Sequence, residues 1–261
     1  MVGCGIDAGS RAMKVVLVDL GDRRVVAAAH ADQRPDQKAL AAGLVAEALQ
    51  AGRLGLSDIA GTVATGYGRH LVEAADVSVT EISCQARGVV RLAPGVRTIV
   101  DIGGQDSKVI FLDGRGVRDF AMNDRCAAGT GQFIEMAARR LGYSLEEVGR
   151  AAAGSRRPAA ITSTCAVFAE TEIISLLAGG TAPEDVAAGV LRSIAQRVAS
   201  LAVRGLAGPV AFTGGTARIV GMDVILSEAV GQPLVIPPEP HLTAALGAAL
   251  LACERAQPSS S

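Results

Sequence analysis

The stretch Asp7-Ala-Gly-Ser-Arg-Ala-Met-Lys-Val-Val-Leu-Val-Asp19 decides the fold, because a second copy of it occurs later in the chain. The second copy is Asp101-Ile-Gly-Gly-Gln-Asp-Ser-Lys-Val-Ile-Phe-Leu-Asp113. The first aspartate, a turn glycine, the lysine and the last aspartate coincide, and an apolar segment typical of a strand follows each lysine. Each copy therefore predicts a β-hairpin with a turn of small residues, and two such hairpins predict two similar halves.

The turns of these hairpins are suited to binding phosphate. Glycine and serine let backbone N–H groups approach an anion, because no bulky side chain intervenes. The aspartate at the end of the first strand is placed to hold Mg²⁺ through its water molecules, and Lys14 can reach a phosphate. A single glycine turn usually only reverses the chain, but two in the same register favour a nucleotide site.

A third glycine turn follows a short predicted strand, in Val210-Ala-Phe-Thr-Gly-Gly-Thr-Ala217. By itself it is an ordinary connection from a strand to a helix. After two phosphate hairpins, Gly214 and Gly215 predict a nucleotide contact at a helix N-terminus.

Apolar periodicity predicts an α/β protein. The predicted strands are 2–6, 13–20, 23–30, 59–65, 98–102, 107–112, 116–122 and 210–213. The predicted helices are 37–52, 129–141, 145–153, 166–178, 183–206, 216–230 and 242–255.

Composition excludes several classes of protein. The 25 Lys and Arg residues nearly balance the 26 Asp and Glu residues, and aromatic residues make up only 3%, which argues against nucleic-acid binding. Uncharged stretches such as 205–217 are shorter than the roughly 18–20 residues of a membrane-spanning helix. The N-terminus has no secretory pattern. We expect a cytoplasmic protein that binds neither nucleic acid nor membrane.

The five cysteines are too few and too scattered to form a disulfide framework. Cys126 and Cys165 precede predicted helices, where the helix dipole stabilises a thiolate or an anionic cluster, and Ser163 and Thr164 are suited to capping the second helix. Two buried cysteines without chemistry are the alternative. Two thiols from one chain cannot complete a metal site, whereas two chains related by a two-fold axis supply four.

The order of the two hairpins, the Thr-Gly-Gly turn and the final Ala244-Ala-Leu-Gly-Ala-Ala249 segment resembles the acetate and sugar kinase/heat-shock-70/actin superfamily. The resemblance extends from Gly5 to about Ala252. It implies a two-domain, actin-like ATPase fold of duplicated ribonuclease-H-like domains with an ATP cleft between them. The expected domains are 1–92 completed by a C-terminal helix at about 241–256, and 93–240, followed by a disordered tail at 257–261.

Two further motifs, Asn123-Asp-Arg-Cys-Ala-Ala-Gly-Thr-Gly131 and Ser163-Thr-Cys-Ala-Val-Phe-Ala-Glu-Thr-Glu172, resemble the activators of (R)-2-hydroxyacyl-CoA dehydratases and the related ATPase subunits of benzoyl-CoA reductases. This resemblance implies an oxygen-sensitive homodimer with one [4Fe-4S] cluster, bound by Cys126 and Cys165 of each chain. It also implies an external electron donor such as ferredoxin or flavodoxin, and a dehydratase or reductase partner that receives a low-potential electron. The chain length favours the activator.

The resemblance also implies roles for the hairpin residues in binding ATP or ADP with Mg²⁺. Asp7 and Asp101 would serve the metal and the attacking water, and Gln105 would position that water. Arg218 and His241 replace glutamines of the relatives. The residues expected to hold phosphates are Gly9, Ser10 and Lys14 in the first hairpin and Gly103 and Gly104 in the second.

Three alternatives remain open on the sequence. A small-molecule kinase of the sugar or N-acetylglucosamine type uses the same fold, but it needs a general base beside an acceptor hydroxyl. A zinc site is the competing use of four cysteines. An ATP-binding regulator without turnover is the third.

Overall fold

The computed structural model describes residues 1–124, 126–162, 165–202 and 205–257. The strands are β1 (Val2–Ala8), β2 (Ala12–Asp19), β3 (Val25–Asp32), β4 (Ile59–Thr65), β5 (Val77–Ser78), β6 (Thr98–Ile102), β7 (Ser107–Asp113), β8 (Gly116–Asn123), β9 (Val210–Thr213) and β10 (Leu234–Val235). The helices are α1 (Gln37–Gly52), α2 (Glu81–Leu92), α3 (Gly131–Leu141), α4 (Leu145–Ala153), α5 (Ala166–Ala178), α6 (Pro183–Leu201), α7 (Met222–Val230) and α8 (Thr243–Ala256).

The chain divides into two compact units, each with its own five-stranded sheet. The first unit comprises residues 1–95, 114–117 and 242–261, and the second comprises 96–113 and 118–241. The sheets have the strand orders β3-β2-β1-β4-β5 and β10-β9-β6-β7-β8. In reverse, the second order is β8-β7-β6-β9-β10. It matches the first order strand for strand, so β6 is equivalent to β1, β7 to β2 and β9 to β4. The duplication seen in the hairpins therefore extends to both sheets.

Helix α8 provides most of the cover for one face of the first sheet. It packs against α2, β1, β4 and β2. The crossing with α2 is close because both helices carry a glycine at the contact: a Cβ on Gly88 would collide with the carbonyl oxygen of Thr243, and one on Gly247 with that of Cys84. The C-terminal helix is thus an integral part of the first unit.

The core of the second unit is formed by β6, β7 and β9 and by the helices around them. Phe133 of α3, Ile194 of α6 and Phe212 of β9 are completely buried in one cluster there. Among the described residues, no helix is both long and apolar enough to cross a bilayer.

Three predicted helices differ from the structure. The segment 216–230 is a 3-10 turn at Gly215–Arg218 followed by α7, because Gly221 adopts a left-handed φ of 78° before α7 starts. Helix α6 ends at Leu201 instead of 206, and α3 starts at Gly131 after a 3-10 turn at Ala127–Gly129.

Helix α2 and the two-residue strands β5 and β10 were not predicted. Of the predicted tail, Gln257 donates a hydrogen bond from Nε2 to the carbonyl oxygen of Leu20 at 3.1 Å, and residues 258–261 lie outside the described residues.

Candidate functional site

The first hairpin places Asp7 and Lys14 side by side. They are register partners on the antiparallel strands β1 and β2, and Lys14 Nζ lies 2.9 Å from Asp7 Oδ2. Asp7 is buried, and its other carboxylate oxygen, Oδ1, has no hydrogen-bond partner among the described residues. The side chain of Lys14 is 18% exposed. One carboxylate oxygen of Asp7 is thus available to a further ligand at this strand end.

The turn of this hairpin needs glycine. A Cβ on Gly9 would lie 3.0 Å from both Lys14 Nζ and the carbonyl oxygen of Ala12. Gln33 donates from Nε2 to the carbonyl oxygen of Gly9 at 2.6 Å, which holds the turn in place, and Ser10 is half-buried. The residues of the first unit that are predicted to bind phosphate therefore lie together.

The second hairpin repeats this register but is more enclosed. Asp101 and Lys108 are register partners on β6 and β7, and Lys108 Nζ lies 3.5 Å from Asp101 Oδ2 and 2.9 Å from Asp106 Oδ1. Only 2% of the Lys108 side chain is exposed. The lysine of the second copy is an internal cation shared by two carboxylates.

The turn of the second hairpin is joined to the start of α3. The carbonyl oxygen of Gly103 accepts a hydrogen bond from the N–H of Gly131 at 2.9 Å, and that of Gly104 accepts one from Gln132 at 2.8 Å. Gln105, between these residues and Asp106, is exposed. The turn is fixed by the helix while its outer residue stays accessible.

The repeat includes a third strand, which the sequence predicts in both halves without showing that the two strands are equivalent. In register with Asp7 and Asp101 are Thr65 of β4 and Thr213 of β9. Each threonine is followed by a glycine with positive φ, 88° at Gly66 and 91° at Gly214. The Thr-Gly pair at the end of an apolar run was the signal that could have identified the first-unit copy.

The glycines after these threonines allow a close approach to the hairpin strands. A Cβ on Gly66 would collide with Asp7 Oδ1, and one on Gly214 would collide with the carbonyl oxygen of Ile102. Gly214 therefore lies against the end of β6, whereas the next residue, Gly215, is exposed. The structure brings the second hairpin turn, the start of α3 and the third glycine turn together within one unit.

Arg218 and His241, which the resemblance implies are departures from glutamine, lie at the edges of this region. Arg218 is the exposed last residue of the 3-10 turn. The side chain of His241 is 7% exposed, and its Nδ1 lies 3.6 Å from Glu239 Oε2.

Cys126 and Cys165 both lie immediately before helical segments, as predicted from the sequence. The side chain of Asn123 accepts a hydrogen bond from the N–H of Cys126 at 3.1 Å and donates one to its carbonyl oxygen at 2.8 Å. Cys165 is exposed. The predicted capping residues Ser163 and Thr164 lie outside the described residues.

The other three thiols are buried. Burial raises the pKa of Cys4 to about 12 and that of Cys84 to about 11, so neither forms a thiolate readily. Cys126 and Cys165 are the accessible thiols.

Among the residues that the structure describes, neither accessible thiol belongs to a complete metal site. The described residues contain no group of three or more His, Cys, Asp or Glu side chains that could hold a metal ion. A [4Fe-4S] cluster needs four ligands, so the two accessible thiols fit such a cluster only if another copy of the chain supplies two more.

Comparison with known proteins supports the resemblance to ATPases and dehydratase activators. Residues 4–252 match the model of the BadF/BadG/BcrA/BcrD ATPase family. The activator of lactoyl-CoA dehydratase from Anaerotignum propionicum is 42% identical over 259 residues, which cover 98% of this chain and 99% of the relative.

Two solved structures are similar over almost the whole chain. The Clostridium difficile activator of 2-hydroxyisocaproyl-CoA dehydratase, with bound ADPNP, has a TM-score of 0.93 at 39% identity and covers 98% of this chain and 96% of its own. Component A of the (R)-2-hydroxyglutaryl-CoA dehydratase of Acidaminococcus fermentans has a TM-score of 0.93 at 40% identity, with 98% and 99% covered. The predicted actin-like ATPase fold and the resemblance to dehydratase activators are confirmed.

Proposed function

The chain belongs to the BadF/BadG/BcrA/BcrD ATPase family and is an ATPase, and we propose that it uses ATP hydrolysis to deliver a low-potential electron to a 2-hydroxyacyl-CoA dehydratase. The observation that carries the proposal is the occurrence, in one chain, of duplicated Asp–Lys–Thr strand ends and two accessible cysteines at helix starts. A kinase has no use for the cysteines, and the family favours the activator over the kinase alternative.

In this proposal, the hairpins and the third turn bind the phosphates of ATP or ADP mainly through backbone N–H groups. Lys14 adds a positive charge that a phosphate can reach, since part of the lysine side chain is exposed beside the turn. The proposed phosphate-binding residues are Gly9, Ser10, Lys14, Gly103, Gly104, Gly214 and Gly215.

The two aspartates are proposed to serve Mg²⁺ and the attacking water. The unpartnered Oδ1 of buried Asp7 supports a role for this residue in holding a metal-bound water. Asp101 is oriented by Thr213 and Lys108, which suits a group that must accept a hydrogen bond in a fixed direction. Exposed Gln105 is proposed to position the water, by analogy with other NTPases.

We further propose that Cys126 and Cys165 bind a [4Fe-4S] cluster together with the same two residues of a second copy. When bound, such a cluster supplies one-electron transfer at low potential. The Asn123 side chain fixes the backbone at Cys126, and the exposure of Cys165 leaves its thiol within reach of another chain. A ferredoxin- or flavodoxin-type donor and a dehydratase complete the proposed pathway of the electron.

The test is metal analysis and activation of a dehydratase by protein purified without oxygen. We expect about two Fe per chain, reduction by dithionite, and ATP-dependent activation of the dehydratase component from a relative. Asp101→Asn should retain iron but lose activation, while Cys253→Ala, which removes a buried thiol, is the control for cysteine replacement. Zinc instead of iron, or activation without ATP, would refute the proposal.

A further inference from the structure

Lysine is rare in this chain, and its positions are informative. The sequence contains 22 arginines but only three lysines, Lys14, Lys38 and Lys108. Lys38 lies on the exposed surface of α1 and pairs with Glu73. The other two occupy the equivalent register positions of the duplicated hairpins. Arginine is the usual basic residue of this chain, yet both hairpins have lysine at the equivalent position.

The surroundings of Lys108 explain why arginine would not serve there. The ammonium group is sealed from solvent and lies within 3.5 Å of two carboxylates, those of Asp101 and Asp106. A compact ammonium with three donors can bridge two acceptors in such a space, whereas the planar guanidinium of arginine needs more room and a fixed fork geometry. A buried cation must be paired, and here it is paired twice.

The two contacts of Lys108 fix different parts of the hairpin. Asp101 is held on both sides, since Thr213 donates from Oγ1 to Oδ1 at 2.8 Å and Lys108 lies beside Oδ2. Asp106 closes the turn, because its carbonyl oxygen accepts the N–H of Gly103 at 2.9 Å. Lys108 thus ties the strand-end carboxylate to the turn proposed to hold phosphate.

We propose that Lys108 is a positioning residue for ATP hydrolysis, which orients Asp101 and the Gly103–Asp106 turn without touching the nucleotide. Lys14, its partly exposed counterpart, faces the ligand instead. The duplicated lysines have therefore taken different roles. The inference rests on the proposed role of Asp101, but it does not depend on iron or on the dehydratase.

The first experiment measures kcat and KM for ATP in variants. The double variant Lys108→Met/Asp106→Asn removes one positive and one negative charge, so the local charge is unchanged. We expect kcat to fall by roughly 100-fold, the size of effect that misplacement of a reacting group produces, while KM changes less than about threefold because backbone N–H groups still bind phosphate. Lys38→Met is the matched control and should retain the kcat of the unmodified protein.

Circular dichroism shows whether the double variant folds. If it does not, Asp106→Asn alone decides, because the Asp106 side chain is 26% exposed and the amide replaces it without a change of shape. Its kcat should fall about tenfold at unchanged KM, since the turn is loosened but Asp101 keeps Lys108. An unchanged kcat in the folded double variant, or in Asp106→Asn, would overturn the proposal.

The second experiment labels lysines with an acyl phosphate of ATP. The mixed anhydride breaks as the amine of a nearby lysine forms an amide, and ATP is released. Mass spectrometry of the three lysine peptides should show labelling of Lys14 that excess ATP prevents, with Lys108 and Lys38 unlabelled. Labelling of Lys108 to the extent of Lys14 would mean that Lys108 faces the nucleotide, and would overturn the assignment.

Discussion

Replacement of Thr213 by valine tests whether the strand-end carboxylate of the second unit depends on its neighbours. Valine keeps the shape of the buried side chain and removes only the hydroxyl that donates to Asp101 at 2.8 Å. A hydrogen bond to a charged group contributes about 1.5–3 kcal/mol, and its loss leaves a buried carboxylate oxygen with one partner fewer. We expect the second unit to lose that amount of stability, and kcat for ATP to fall about tenfold because Asp101 is held less firmly in its reactive orientation.

The duplicated fold provides the control within the same chain. Thr65 occupies the equivalent position beside Asp7, but its buried Oγ1 has no hydrogen-bond partner among the described residues. Thr65→Val therefore breaks no hydrogen bond and removes an unsatisfied buried hydroxyl, so it should not lower the stability of the first unit.

Urea unfolding and steady-state ATP hydrolysis of both variants provide the measurement. The unfolding curves should be fitted without assuming a single transition, because the chain has two compact units. Equal, small effects of the two replacements on stability and kcat would show that the bond between Thr213 and Asp101 has no special role.

Three further predictions concern the other strand end, the cysteines and the packing of α2. Asp7→Asn should reduce ATP turnover at least about 100-fold with a much smaller effect on nucleotide affinity by calorimetry; normal turnover would mean that the repeat is only architectural. Cys126→Ala and Cys165→Ala should each lose the iron of anaerobically purified protein, and full iron retention would exclude that residue as a ligand. Gly88→Ala introduces a Cβ that collides with a carbonyl of α8 and should lower stability by about 1–3 kcal/mol. Gly43→Ala, in open space on α1, should instead raise stability by up to about 1 kcal/mol; the reverse order would contradict the packing argument.

The hairpins could be predicted because their information is local. An aspartate, a turn glycine and a lysine at fixed spacing determine one antiparallel register, and Asp7 and Asp101 do pair with Lys14 and Lys108. The parallel contact of Asp7 with Thr65 depends on a strand far along the chain, so only the repeat of the Thr-Gly pair could have revealed it.

Helix α2 escaped prediction because its features depend on its partner. Gly88 permits the close crossing with α8, and buried Gln85 accepts a hydrogen bond from Thr243 of that helix at 3.0 Å. The repeat identifies the position of Lys108, but sequence spacing does not show that its ammonium is enclosed by two carboxylates. The small number of lysines was the available signal.

The position of α8 in the chain determines the order in which the protein can be completed during translation. The sheet of the first unit lies within residues 2–78, but the helix that covers it is residues 243–256, which leave the ribosome after the whole second unit. At about 5–20 residues per second, the early strands wait on the order of ten seconds, with the surface that α8 later covers still exposed to solvent. The unit that begins first is thus the last to close, and a nascent chain interrupted before Thr243 cannot bury that surface.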